Sequence, residues 1–315
     1  MKSLRNVIII GCGKIAGLDE SLTGSQVNTH AKALKKNPFF NLISCVDKKK
    51  KNLIKFRRKW SIKNMYLNIP QETKNKIHLA IICTPTNIHK KSLLKIFDLK
   101  PNLILCEKPM SNYIFDIKEI IKKKPKNIDL LINYNRRSNI FYTNLKKNIR
   151  KKKFGELRSV TAEYNKGLIN NGSHLIDLLH FLLGNLSFVA KSKPIFDYQK
   201  SDPSYSFLLK SGKVNISVNT GNSKDFYLFN LKFIFSKKII EITENEKKIN
   251  YLKIKKVNSY KKYNDLILEK SEKFKSNSEF QEVYKNLERQ LKGKKVFLTN
   301  IYDELKNQKL IKKIL

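Results

Sequence analysis

The chain has 315 residues, 41% of them hydrophobic, and a formal net charge of +39. A single hydrophobic core usually stops growing below this length, so two domains are expected. No apolar run approaches the roughly 20 residues that cross a bilayer. The apolar run at residues 7–10 is also too short for a signal peptide. We therefore expect a cytoplasmic protein that makes no use of a membrane.

The high positive charge suggests nucleic-acid binding, but the distribution of the basic residues argues against it. Lysines are spread along the whole chain, and few of the basic residues are arginines. A nucleic-acid surface more often has arginines clustered with aromatic residues on one element. We therefore expect no nucleic-acid partner, although this class remains an alternative. The positive field would speed the encounter with an anionic ligand.

The cysteines indicate neither a metal site nor a disulfide framework. Cys12, Cys45, Cys83 and Cys106 lack metal-type or redox-type spacing, and three of them end apolar runs. Small buried thiols are typical of a core in a reducing compartment. No metal is predicted.

The first part of the chain alternates apolar runs with amphipathic stretches, which is the pattern of a parallel sheet covered by helices. Predicted strands cover residues 6–10, 42–46, 78–83, 103–106 and 130–134, and helical spacing covers residues 30–37 and 89–99. Residues 1–125 are therefore predicted to form a doubly wound α/β domain.

After about residue 150 the pattern changes to alternating strands, with a hairpin signal at Ser211-Gly212. Predicted strands cover residues 157–164, 205–210, 213–219, 226–235, 238–243 and 249–256. Predicted helices cover residues 173–183, ended by Gly184 as a C-cap, and residues 279–291 and 300–314. Residues 126–315 are therefore predicted to form an α+β domain with a largely antiparallel open sheet.

A glycine-rich loop follows the first predicted strand directly. Its G-x-G-x-x-G pattern runs from Gly11 to Gly17, and such a loop turns tightly, lets main-chain N–H groups approach a pyrophosphate and opens a helix. Residues 18–28 are interpreted as an insertion before that helix resumes near His30. The pattern predicts a Rossmann domain in which the dinucleotide contacts Gly11, Cys12, Gly13, Lys14 and Ile15.

Asp47 ends the second predicted strand, where a carboxylate can accept hydrogen bonds from the adenosine ribose. Its charge would repel a 2′-phosphate, so NAD is the predicted cofactor. The lysines at positions 48–51 follow immediately and would offset that repulsion, so NADP remains the alternative.

Three further motifs, in order, resemble those of the Gfo/Idh/MocA oxidoreductases over about residues 5–185. Cys83-Thr84-Pro85 with His89 is similar to the family's C-T-P-x-x-x-H segment, which lies along the cofactor. Glu107-Lys108-Pro109 matches the E-K-P motif at a strand end, and residues 170–177 resemble the G-x-H-x-x-D segment. The resemblance implies that Thr84, Pro85, His89, Glu107 and Lys108 contact the cofactor.

Hydride transfer to or from a secondary hydroxyl needs a base for its proton and a cation that polarises its oxygen. Lys108 fits the role of the cation, and His174 fits the role of the base. In the family, the matching lysine contacts the reacting hydroxyl, and the Lys-Pro bond is often cis. Well-known members carry an Asp where this chain has Asn170, which cannot accept a proton. Substrate contacts are predicted for Lys108, Tyr134, Arg136, Arg137, Lys166, Asn170, Asn171 and His174.

The predicted function is therefore NAD(P)-dependent oxidation or reduction of a sugar, cyclitol or sugar nucleotide, as in polysaccharide biosynthesis. The family resemblance also implies a homo-oligomer, a dimer or tetramer that associates through the exposed sheet. A non-catalytic, dinucleotide-binding regulatory or interaction protein of the same fold is the alternative, because fold does not fix function.

Overall fold

The structure, a computed structural model, describes residues 4–74, 76–256, 264–275 and 279–315. The chain divides into two compact units, Met1–Asn139 with Asn277–Gln308 and Ile140–Ser276 with Lys309–Leu315. The first unit thus extends past the predicted boundary at residue 125 and includes a C-terminal segment that the sequence pattern placed in the second domain. Across the described residues, no helix has the length and apolar character needed to cross a membrane.

The N-terminal part of the first unit forms a parallel sheet in the order β6-β5-β4-β1-β2-β3, which is the Rossmann order. Strands and helices alternate along the chain, as the sequence pattern predicted. They are β1 (Arg5–Ile10), α1 (His30–Lys35), β2 (Phe40–Val46), α2 (Lys50–Trp60), β3 (Asn64–Tyr66), β4 (Leu79–Ile82), α3 (Thr86–Phe97), β5 (Leu103–Cys106), α4 (Ile114–Lys123) and β6 (Asp129–Ile132).

Both faces of this sheet are buried. Val7 and Ile9 of β1 pack in one hydrophobic cluster, and Ile8 and Ile10 pack in the other. Successive strand residues point to opposite faces, so a strand between two helical layers must be apolar throughout. This explains the continuous apolar runs in the sequence.

The second unit has an eight-stranded sheet with the order β16-β15-β14-β13-β7-β12-β11-β8, in which the β7–β12 pair is parallel and the other described pairs are antiparallel. A separate hairpin joins β9 and β10. The elements are α5 (Ile140–Arg150), β7 (Leu157–Tyr164), α6 (Ser173–Leu183), β8 (Ser187–Lys191), β9 (Ile195–Gln199), β10 (Asp202–Ser204), β11 (Phe207–Ser211), β12 (Val214–Thr220), β13 (Phe229–Phe235), β14 (Lys238–Thr243), β15 (Lys248–Lys255) and β16 (Asp265–Lys273). The predicted α+β class with a largely antiparallel sheet is confirmed.

Alternation along β13 shows how this sheet covers its core. Phe229, Leu231, Phe233 and Phe235 are buried, and the residues between them are half-buried. One face of the sheet therefore packs on the core cluster that contains the apolar side of α6.

The chain then returns to the first unit through α7 (Glu279–Leu291) and β17 (Thr299–Asn300), before α8 (Ile301–Ile314). β17 pairs antiparallel with β6, with Thr299 opposite Ile132, and so extends the Rossmann sheet by one edge strand. Val283, Tyr284 and Leu287 of α7 are buried in the same cluster as Val7 and Ile9. This packing explains why the C-terminal segment belongs to the first unit.

Candidate functional site

The carboxyl ends of neighbouring strands β1, β2 and β4 surround a cavity of about 520 Å³. Ligands of open α/β sheets bind at this edge. Five of the predicted cofactor residues lie along the cavity, namely Gly11, Gly13, Asp47, Thr84 and Pro85.

The glycine loop approaches its neighbours so closely that a side chain is excluded at Gly11. Gly11 has a φ of +93°, and a Cβ atom there would lie 2.7 Å from the carbonyl carbon of Cys83. At Gly13, by contrast, a Cβ atom would meet nothing within 4 Å. The loop therefore packs closely against the residue after β4 at Gly11, whereas the space beside Gly13 is empty.

The segment after Gly13 forms turns, and α1 begins only at His30. The sequence predicted that a helix begins at the glycine loop and resumes near His30 after an insertion at residues 18–28. The insertion is confirmed, but the helix N-terminus is not at the loop. Within the described part of the chain, the main-chain N–H groups of Gly13, Lys14 and Ile15 have no acceptor. These donors are therefore available to phosphate oxygens without a helix terminus.

Asp47 fastens the glycine loop to the end of β2. Its Oδ2 atom accepts the N–H of Cys12 at 2.8 Å, and its Oδ1 atom accepts the N–H of Lys49 at 2.8 Å. The N–H of Cys12, a predicted cofactor contact, is therefore already paired. Each carboxylate oxygen has lone pairs left for a hydroxyl, but both oxygens already support the main chain.

His89 connects two loops from a buried position. Its Nε2 atom lies 2.7 Å from the carbonyl oxygen of Thr84, and its Nδ1 atom lies 3.0 Å from that of Pro109. Burial lowers the pKa of His89, and the two carbonyl contacts oppose that change. With both ring nitrogens held by the main chain and 1% of the residue exposed, His89 positions the loops. This geometry does not favour the predicted contact between His89 and the cofactor.

Glu107 lies at the carboxyl end of β5 in a network of buried polar groups. Its Oε1 atom accepts hydrogen bonds from His30 Nε2 at 2.8 Å and Asn133 Nδ2 at 2.6 Å. Burial raises the pKa of Glu107, but the hydrogen bonds from His30 and Asn133 and the charge of Lys108 outweigh it, so the net pKa is lowered. The next residue, Lys108, is half-buried, and the Lys108-Pro109 bond is cis.

The predicted substrate contacts after β6 fall into two groups. Tyr134 is buried, and Arg137 is 5% exposed and forms an ion pair with Asp303 at 2.9 Å. Arg136 is half-buried. The structure thus gives Arg137 a partner within its own unit, and only Arg136 of this pair keeps appreciable exposure for a ligand.

The second unit holds the other predicted residues in one segment after β7. The main-chain N–H of Lys166 donates to Asp197 Oδ2 at 2.6 Å, and the Lys166 side chain is exposed. Asn170 donates through Nδ2 to the Lys166 carbonyl at 3.1 Å. Asn171 is buried and donates to the Asn165 carbonyl. His174, on the first turn of α6, is half-buried.

The helix α6 begins at Ser173, as predicted, but its N-terminus has no side-chain cap. Residues 170–173 are of types that often cap helices, yet a π-helical turn, Leu168–Gly172, leads directly into α6. Asp202 instead holds this turn, because its carboxylate accepts the N–H groups of Ile169 at 2.7 Å and Asn170 at 2.9 Å. Helix end Gly184 has a φ of +86°, as a C-cap glycine should.

Sequence reasoning missed Asp202, Asp197, His30 and Tyr284. The two aspartates lie on the β9–β10 hairpin, for which no strand was predicted, and the residues that they hold at positions 166–170 are more than 30 positions away. The Asp202-Pro203 pair was the only local sign of a turn there. Their roles depend on tertiary contacts.

Comparison with protein families matches residues 5–133 to the Gfo/Idh/MocA oxidoreductase family, which is described as having an NAD-binding Rossmann fold. This segment belongs to the Gfo/Idh/MocA oxidoreductases. The match covers the glycine loop, Asp47 and the Glu107-Lys108-Pro109 motif, so the expected family and cofactor class are confirmed for residues 5–133. None of the curated proteins matches the sequence.

Solved structures extend the likeness to the fold of the second unit. An oxidoreductase from Agrobacterium radiobacter in complex with NAD+, L-tartaric acid and magnesium has a TM-score of 0.78 at 15% identity, covering 99% of this chain and 95% of that one. A dehydrogenase from Chromobacterium violaceum has a TM-score of 0.77 at 14% identity, with 99% and 94% coverage. KijD10, a 3-ketoreductase from Actinomadura kijaniata in complex with NADP and TDP-benzene, has a TM-score of 0.73 at 13% identity, with 99% and 97% coverage. At these identities the likeness establishes the fold.

The residues of this Gfo/Idh/MocA domain fit a dinucleotide cofactor. The space beside Gly13 is open, and three main-chain donors of the loop are available. The Thr84 hydroxyl oxygen is buried without a partner among the described residues, and Thr84 lies on the cavity. A buried hydroxyl normally has a partner. The glycine loop, Thr84 and Asp47 would together hold the cofactor.

Proposed function

We propose that the protein is an enzyme that transfers a hydride between the nicotinamide of NAD(P) and a secondary hydroxyl or keto group of a sugar, cyclitol or sugar nucleotide. The observation that carries the proposal is the anchoring of Glu107 by His30 and Asn133, because it fixes the adjacent Lys108 at the strand edge that also carries the cavity.

The cofactor, when bound, would accept or supply the hydride. Lys108 would donate a hydrogen bond to the reacting oxygen, and its positive charge would stabilise negative charge that develops there. An ammonium group suits this role because it offers three donors and no acceptor.

His174 would exchange the hydroxyl proton, because an imidazole titrates near neutral pH. The neighbouring Asn170 cannot take a proton, so the carboxylate base of well-known family members is absent at this position. The side-chain amide of Asn170 and the exposed ammonium group of Lys166 would instead bind the substrate. Arg136 is the further cation that we assign to the substrate.

A sugar substrate is favoured by the hydrogen-bonding character of these groups, which are amides, an imidazole and lysines, rather than an apolar pocket. The bound TDP-benzene of KijD10 supports a sugar nucleotide as the first class to test. Exposed Val189, Leu208, Leu266 and Leu268 on the second sheet support a homo-oligomer.

The test is turnover of the purified protein with NAD(H) and NADP(H) against UDP-, GDP- and dTDP-sugars and free cyclitols, followed by nucleotide absorbance. We expect Lys108→Met and His174→Gln each to lower kcat by about 10²-fold or more, as loss of an acid-base or charge-stabilising group does. Cofactor affinity should change little in His174→Gln.

Two substitutions of the same residue types serve as controls. His180→Gln changes another histidine of α6, and Lys118→Gln changes an exposed lysine of α4. Both should keep wild-type activity. Activity that survives Lys108→Met and His174→Gln would refute the assigned roles. Cofactor binding without turnover on any substrate would instead support a regulatory or interaction protein.

A further inference from the structure

We propose that this cavity selects the 2′-phosphorylated dinucleotide, NADP(H), over NAD(H). The proposal rests on the proposed function in one respect, namely that a nicotinamide dinucleotide occupies the cavity. It goes further by assigning a phosphate subsite to lysines that the hydride chemistry does not use.

Four lysines line the cavity from two sides. Lys48 and Lys49 follow β2, and Lys91 and Lys95 lie one turn apart on α3. All four side chains are exposed, and none forms an ion pair with a carboxylate within the described ranges of the chain. Elsewhere, lysines such as Lys90 and Lys123 do pair with acidic neighbours. The cavity is therefore a concentration of uncompensated positive charge.

Among the described residues, Asp47 is the only acidic one that lines the cavity. Both of its oxygens accept main-chain N–H groups, from Cys12 and Lys49. In an NAD-specific site the acidic residue at this strand end receives the ribose hydroxyls and repels a phosphate. Here one carboxylate shares the lining of the cavity with four lysines, so we expect their positive charge to outweigh its repulsion of a phosphate.

The position of the lysines points to the adenosine ribose rather than to the pyrophosphate. The pyrophosphate of a Rossmann cofactor lies on the glycine loop, whose N–H groups at Gly13, Lys14 and Ile15 are available. The end of β2 is where the adenosine ribose binds. Lys48 and Lys49 flank that end directly. A 2′-phosphate carries nearly two negative charges, and charge-assisted hydrogen bonds from ammonium groups would hold it.

The experiment titrates the full-length protein with NADPH and with NADH, following nucleotide fluorescence at fixed ionic strength. Competition by adenosine 2′,5′-bisphosphate and by ADP isolates the subsite from the nicotinamide. We expect NADPH to bind about tenfold or more tightly than NADH, and the bisphosphate to compete better than ADP by a similar factor, which is typical of one or two charge-assisted hydrogen bonds.

Paired substitutions test the lysines. Lys48→Gln with Lys49→Gln, and Lys91→Gln with Lys95→Gln, should each remove most of the preference, because NADPH then loses charge-assisted hydrogen bonds to its 2′-phosphate, whereas NADH has no group there to lose them. Lys118→Gln with Lys122→Gln is the matched control, since it removes the same charge at the same helical spacing on α4, away from the cavity.

The outcomes separate this proposal from the one it rests on. NADH that binds as tightly as NADPH, or more tightly, would overturn the phosphate subsite and leave the proposed function standing. An equal loss in the control pair would also overturn it, because the net charge of the chain would then explain the preference. Binding of neither dinucleotide would overturn both proposals.

Discussion

The Nε2 atom of His30 lies 2.8 Å from the Oε1 atom of Glu107. The other ring nitrogen of His30 lies 2.8 Å from the hydroxyl of Tyr284, whose pKa is raised well above its ordinary value by burial. A protonated phenol donates to Nδ1, which leaves the Nε2 proton for the carboxylate. His30 of α1 therefore holds the carboxylate of Glu107, the residue before Lys108, and Tyr284 of α7 holds His30 in turn.

Removing His30 should destabilise the first unit. His30→Leu leaves the half-buried Glu107 carboxylate with one donor fewer, and we expect a loss of about 1.5–3 kcal/mol in the free energy of unfolding, typical of a lost hydrogen bond to a charged group. Urea denaturation at pH 7.5 measures the loss. The double variant His30→Leu/Glu107→Leu should lose less than the sum of the single variants, because neither partner is then left unpaired. Additive losses would show that the two side chains are not coupled.

Glu107 should also contribute to acid sensitivity. Its pKa is lowered below the ordinary value of 4.5 in the folded chain, so between these two values the unfolded chain binds more protons. This contribution to stability is fully present above pH 4.5 and is lost as the pH falls through the lowered pKa. Glu107→Gln should therefore flatten the pH dependence of the unfolding free energy below pH 4.5. An unchanged slope in that range would contradict the lowered pKa.

Two glycines of the same loop should respond differently to alanine. Gly11→Ala forces a side chain into a positive φ and against the backbone of Cys83, so we expect a loss of about 2–4 kcal/mol in stability. Gly13→Ala meets no neighbour within 4 Å. It should keep the wild-type melting temperature but lower dinucleotide affinity, because its Cβ would occupy space beside the proposed pyrophosphate position. Thermal unfolding and nucleotide titration of both variants make the comparison, and full nucleotide affinity in Gly13→Ala would argue against that position.

The sequence predicted the bounds of a helix or strand best where a local signal marks its ends. The helix ending before Gly184 and the strands at residues 103–106 and 157–164 have the predicted bounds, since a glycine C-cap or a change in polarity marks their ends. The strand patterns also predicted both sheets, and the family that the motifs suggested is the one whose model matches residues 5–133. Edge strands such as β9 and β16 were missed because their burial pattern is weak.

The sequence could not reveal the contacts that hold the site together. Tyr284 lies 254 positions from His30, and no local pattern pairs them. Arg137 was predicted to contact the substrate, and its ion-pair partner, Asp303, is 166 positions away. Asp47 was correctly placed at the strand end, whereas its two main-chain bonds depend on how the glycine loop folds over β2.

His89 should act through the two loops that it joins. His89→Leu removes the imidazole that lies between the carbonyls of Thr84 and Pro109, and with it a buried hydrogen bond, so we expect about 1–3 kcal/mol of destabilisation together with weaker cofactor binding. His89→Gln offers two amide N–H donors and should restore part of both. Chemical denaturation and nucleotide titration of the two variants test this. Equal behaviour of Leu and Gln would show that packing alone matters at this position.

Asp202 should control the segment that carries Asn170 and His174. Its carboxylate accepts two N–H groups of the π-helical turn, and a side chain at Gly167 would overlap its Oδ2 atom. Asp202→Ala removes both acceptors, so the turn loses its anchor and His174 its fixed orientation. We expect kcat to fall by about tenfold or more while cofactor affinity stays unchanged, because misplacing a catalytic group by an ångström has a cost of this order. Asp202→Asn keeps one carbonyl acceptor and should fall between wild type and Asp202→Ala. A change in nucleotide Kd with no change in kcat would contradict this role, because Asp202 would then influence the first unit rather than the turn that it holds.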